Sequence, residues 1–201
     1  MDSQAQAILD FWFEGALGMP LQTKQFNARW FGASEATDQE ISTRFSETLT
    51  AIAQQEHEDW LQHPRSALAY IIVLDQFSRT IHRGSGQAFA YDAQALKAAK
   101  QLMRHDGHLA LAPIQRVFVY LPLEHSEDLA DQKQAVSLFK TLVTAAPHEQ
   151  KEMFESYYDY ALRHAAVIER FGRFPHRNER LQRETTPEEA AFLQEPGSSF
   201  G

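Results

Sequence analysis

The chain has 201 residues, of which 43% are hydrophobic and 23% charged, with a formal net charge of -8 and no cysteine. That balance predicts one soluble globular domain over 1–195 with a flexible tail at 196–201, and it excludes disulfides, thiolate nucleophiles and cysteine-based zinc sites. An acidic chain lacks the basic face that nucleic acid demands, and the longest apolar run, Ala67 to Leu74, is too short to span a bilayer. With no basic segment leading into an apolar one near Met1, the expectation is a cytoplasmic protein without nucleic-acid or membrane partners.

Apolar residues recur at helical spacing in nearly every segment. Ile8, Leu9, Trp12 and Phe13 stripe a first helix capped by Asp2 or Ser3, after which Gly15, Gly18 and Pro20 predict a loop before Phe26, Trp30 and Phe31. Ile41, Phe45, Leu49 and Ile52 mark a second helix started near Thr37 or Asp38. Pro64 starts the next, which runs from Arg65 to about His82 and stops at Gly84 and Gly86. It is apolar almost all round, so it should be central.

Asp92 starts a helix to about His105, Pro113 begins a shorter one that Pro122 ends, and Ser126 is the expected N-cap of a helix reaching Ala146. Pro147 opens a long helix through Arg170, and Thr186-Pro187-Glu188-Glu189 has the form of a capping box before a short last helix. No segment alternates apolar and polar residues as a strand would. The predicted fold is all-α, with short loops that favour stacked antiparallel hairpins.

Several polar residues interrupt this apolar pattern. Asp75, Arg79 and Arg83 fall four residues apart on one stripe of the central helix, either as a structural ion pair or bordering a cavity. Arg116 and Tyr120 share a stripe on the Pro113 helix. Beyond it, Glu124-His125-Ser126-Glu127-Asp128 offers an acid/base centre, or a metal set drawn from Glu124, His125, Asp128 and His164, or simply a helix cap. His164 lies beside the buried face of the long helix.

The run RFGRFPHRN then breaks that helix at Gly172 and restarts at Pro175, presenting Arg170, Arg173, His176 and Arg177 on a short connector. Guanidinium forks held this way suit a carboxylate or phosphate. Their other reading is internal pairing with Glu124, Glu127 or Asp128.

The blocks LDQFSRTIHRG at 74–84, YLPLEHSEDLADQ at 120–132 and HAAVIERFGRFPHRN at 164–178, with FWF at 11–13 and RWF at 29–31, resemble the bacterial family called domain of unknown function 924. The resemblance covers almost the whole chain and implies an all-helical fold of the tetratricopeptide-like superfamily; no activity comes with it. Family members commonly carry Pro-Arg-Asn where Ser78-Arg79-Thr80 stands here, Tyr or Phe at His82, and Glu at Gln115.

Three functional readings follow. The first is a binding module whose groove, lined by Asp75, Arg79, Arg83, Arg116, Tyr120, Glu124, His125, Glu127, His164, Arg170, Arg173, His176 and Arg177, accepts an anionic small molecule or peptide carboxylate. The second is an enzyme, a hydrolase or transferase acting on a phosphate or acyl group with or without a metal, with His125 or His164 as base, Glu124 or Glu127 orienting it, and arginines meeting developing charge. The third is a structural or interaction protein whose polar groups pair with one another. No P-loop, dinucleotide fingerprint, nucleophile elbow or HExxH is present, and neither a cofactor nor a bound metal is expected.

Overall fold

The computed structural model describes residues 2–13, 29–32 and 34–200, and among them every regular element is helical. The predicted loop at Gly15, Gly18 and Pro20, and Phe26 after it, lie outside the described residues. In chain order the α-helices are α1 (Ser3–Phe13), α2 (Glu35–Ala53), α3 (Pro64–Ile72), α4 (Ser78–Ile81), α5 (Asp92–Arg104), α6 (Pro113–Glu124), α7 (Leu129–Ala145), α8 (Lys151–Phe171) and α9 (Pro187–Phe192).

Each start has a local cause. The Asp2 carboxylate accepts from the amides of Gln4 and Ala5, and the Ser34 hydroxyl from Thr37, which places the start of α2 ahead of the expected Thr37 or Asp38. The N-cap of α7 is Asp128, whose Oδ1 accepts from Ala130 and Asp131. Ser126, expected in that role, donates instead to Asp131 at 2.9 Å. The Thr186 capping box forms, and Gly172, with φ +68°, closes α8 in the left-handed region that suits glycine.

The central helix is not continuous. Between α3 and α4 the backbone makes a π turn over Val73–Phe77, and all five of its residues are buried. A π turn widens the helix by one residue, and both Asp75 and Gln76 are buried within it, in a segment buried all round from Ser66 to Ser78. α3 is indeed the centre: α1, α5 and α6 pack on it, while α2 packs on the π turn and α4. α6 and α7, and then α7 and α8, follow as neighbouring pairs.

Pro122 does not end α6 but sits in its last turn, which runs on to Glu124. The exposed carbonyls at that end are collected by one side chain. Gln132, completely buried on α7, donates from Nε2 to the carbonyls of Glu124 and Ser126, each at 2.6 Å. This clamp fixes the backbone on either side of His125.

The main core runs from Ala5 to Ala161 and includes a chain of aromatic contacts through Phe11, Trp12, Phe45, Phe77 and Phe118. A smaller cluster of Val167, Ile168 and Phe174 anchors the C-terminal region. Residues expected to trail as a tail are packed there: Ser198 donates to Leu193, and Phe200 stacks on His164 with ring centroids 3.8 Å apart.

Candidate functional site

A cavity of about 610 Å³ opens between the π turn, α6 and α8. Its polar lining includes Gln76, Arg79, Glu124, His125 and His164, and aromatic walls come from Trp30, Phe31, Tyr157, Tyr160 and Phe200. The polar residues reach this space from three elements far apart in sequence, brought together by the apolar packing of α3, α6 and α8.

Asp75 lies behind the lining and is 1% exposed. Its Oδ1 accepts from His125 Nδ1 at 2.7 Å, its Oδ2 from Gln76 Nε2 at 2.5 Å, and Arg79 NH1 stands 3.3 Å from Oδ1. Burial alone would raise the Asp75 pKa, yet His125 and Arg79 together hold it well below the usual carboxylate range. Asp75 is therefore ionised. Burial and the nearby Arg79 charge outweigh Asp75 in lowering His125, so the imidazole is neutral, with its proton on Nδ1 and a lone pair left on Nε2.

Glu124, the preceding residue, has the opposite state. It is 3% exposed, and its partner is His164, whose Nδ1 lies 3.1 Å from Oε1 and 2.9 Å from the Tyr160 carbonyl. Burial, reinforced by the Asp75 charge, pushes the Glu124 pKa up to about 8. Burial also drives His164 down to about 3, helped by His125, His176 and Arg177. Although the separation is that of a salt bridge, both groups move toward neutrality, so the contact is not an ion pair and the Nδ1 hydrogen bond of His164 goes to the Tyr160 carbonyl. Glu124 thus carries a proton near pH 7 while Asp75 does not.

The arginines of RFGRFPHRN are satisfied elsewhere. Arg170 binds Glu188; Arg173 makes two bonds to Glu189, at 2.6 and 2.8 Å; and Arg177 reaches Asp92 and the His125 carbonyl, each at 3.1 Å. Of the three acidic residues expected to meet this run only Glu127 does, accepting from the Phe174 amide, while its arginine partner is Arg183 beyond the run. His176 is enclosed against Phe174 and Phe200, and burial and Arg177 lower its pKa to about 4.

Arg116 and Tyr120 are not brought to the cavity. Arg116 donates to the carbonyls of Leu109 and Leu111, and Tyr120 packs between His108 and Phe139. Gln115 reaches back to the Ala112 amide as a helix-start contact. Arg83 lines the mouth, paired with Asp38 at 3.0 Å. Among the described residues no three His, Asp or Glu side chains are placed to hold a metal ion, and Asp128 of the set suggested by spacing caps α7 instead.

Sequence reasoning missed Gln76, Asp92, Glu189 and Phe200. Asp92 was legible only as a helix start, yet it accepts from both Arg79 and Arg177 at 3.1 Å.

Residues 8–197 match the family described as bacterial protein of unknown function (DUF924). The chain belongs to this family. It is also similar to a solved structure of a protein of unknown function from Agrobacterium tumefaciens, with a TM-score of 0.79 and 36% identity over 94% of this chain and 96% of the other. No curated protein matches it. No described helix is long and apolar enough to cross a membrane.

Proposed function

We propose that this chain is a general acid–base catalyst acting on a small organic molecule held in the cavity. One observation carries the reading: adjacent residues lining one cavity are tuned to opposite tasks. Asp75 pins His125 through Nδ1 and leaves Nε2 as the base, while Glu124 keeps a proton to give.

In the reaction so supported, a substrate proton passes to Nε2, and the Glu124 carboxyl donates its proton to the substrate atom where negative charge develops. Asp75 stabilises the imidazolium that forms. Arg79 and Gln76 position Asp75, and the clamp from Gln132 holds the backbone of the Glu124–His125 pair. Ligand binding, expected from sequence as the function itself, becomes the first step, and the paired arginines of RFGRFPHRN become scaffold for it.

The test is turnover of a total small-molecule extract in D2O, followed by NMR, with wild-type protein, His125→Gln and Glu124→Gln. Loss of a signal, gain of one, or deuterium entry into one compound is expected with wild type and absent with both variants. An extract unchanged by wild type, or changed equally by the variants, overturns catalysis. Specific binding without any change would return the function to a binding module.

A further inference from the structure

Among the described residues the charges around the cavity nearly cancel, with one exception. Arg79 and Arg177 are balanced by Asp75 and Asp92, and Arg83 by Asp38. Glu124, His125 and His164 contribute no charge near neutral pH. Arg29 remains. Its NH1 donates to the Phe11 carbonyl at 2.7 Å and its guanidinium carbon stands 5.2 Å from the centre of the Phe11 ring, but it has no carboxylate partner among the described residues. A guanidinium carries five donors in a rigid fork, so most of its capacity is unused at the edge of a cavity it lines.

A second, independent feature lines the same cavity. Phe31 and Tyr160 both line the cavity, yet they remain 51% and 48% exposed. Exposed aromatic rings in the same cavity as a cation lacking a carboxylate form the two halves of a site for a molecule with an apolar body and one negative end.

We infer that the cavity takes a small monocarboxylate with a flat apolar body, its carboxylate paired with Arg29 and its body against Phe31 and Tyr160. A single uncompensated positive charge selects a monoanion over a dianion such as a phosphate monoester, and a planar fork matches a carboxylate. Resting on the acid–base reading, the inference adds that the substrate's carboxylate is a handle and its reacting atom lies toward His125 and Glu124.

The experiment compares benzoate, benzamide and benzylamine binding to the full chain by calorimetry, in wild type, Arg29→Gln and Arg29→Lys. Benzoate is expected to bind wild type at least tenfold more tightly than benzamide, with benzylamine weakest, and Arg29→Gln is expected to erase the difference between benzoate and benzamide. Arg29→Lys keeps a charge near Phe11 and serves if the Gln variant unfolds; its preference should fall between wild type and none. Equal binding of benzoate and benzamide by wild type, a preference that survives in folded Arg29→Gln, or an undiminished one in Arg29→Lys overturns the inference.

The two proposals fail separately. A benzoate preference that depends on Arg29, without any turnover that depends on His125, leaves the monocarboxylate site standing and removes the acid–base role. Turnover lost in His125→Gln and Glu124→Gln, with no benzoate preference, does the reverse.

Discussion

Replacing Glu124 by Gln should make the protein gain stability relative to wild type as pH rises. The Glu124 carboxyl has a pKa of 4.5 when unperturbed and about 8 in the folded chain. Between those values the unfolded chain releases a proton that the native protein keeps, so the native state binds more protons and stability falls with rising pH. The slope is about 1.4 kcal/mol per pH unit. By pH 7 the accumulated cost is about 3 kcal/mol, and above pH 8 it levels off near about 5 kcal/mol.

For a domain whose total stability is of order 5–15 kcal/mol, that is a large share. Gln cannot ionise, keeps an oxygen where Oε1 faces His164, and removes the slope. Urea unfolding of both proteins at pH 5, 6, 7 and 8 isolates it, because the buried histidines titrate alike in each and cancel in the difference. A difference between the two proteins that is flat across this range would refute the argument, since Glu124 would then ionise as an exposed glutamate does.

Two further outcomes follow from the same network. Asp75→Asn leaves Arg79 and Arg177 sharing Asp92 alone, and it should cost about 3–5 kcal/mol in urea unfolding, as loss of one partner of a buried pair does; a loss below about 1 kcal/mol would contradict the burial on which the dyad depends. Arg173 first, then the Thr186 amide, lowers the Glu189 pKa to about 2, so its contribution is whole above pH 4.5 and disappears as pH falls through 2. The melting-temperature gap between wild type and Glu189→Gln should therefore hold from pH 7 to 5 and close between 4.5 and 2, and a gap that persists at pH 2 would disprove the pairing.

How far the sequence is legible depends on the distance over which the relevant forces act. Helix starts at Asp2, Pro64, Asp92, Pro113 and Thr186 are written in a few consecutive residues, and the structure has them at those places or within a residue or two. Ser126 and Asp128 are both good caps, and only the course of the chain after Pro122 decides between them. Asp75, Glu124, His125 and His164 stand out as polar residues on apolar stripes, which is why they could be named as candidates without coordinates.

Their pairing could not be foreseen. Asp75 and His125 are 50 residues apart and meet only where the buried π turn packs near the end of α6. RFGRFPHRN was correctly read as a helix stop and restart, but its partners, Asp92, Glu188 and Glu189, lie on helices whose approach no local pattern encodes. Arg29 was invisible for a related reason: a cation becomes notable only after every other charge near it has found a partner.

The central claim is that one cavity holds a protonated carboxyl beside a neutral imidazole fixed by an ionised carboxylate. It is tested most directly by a carbon-13 and nitrogen-15 NMR titration of Glu124 and His125 in the intact wild-type chain from pH 4 to 9. The account predicts a Glu124 carboxyl that titrates near 8, with His125 neutral and protonated on Nδ1 at pH 7. A Glu124 midpoint near 4.5, or an imidazolium at His125 at pH 7, would contradict it.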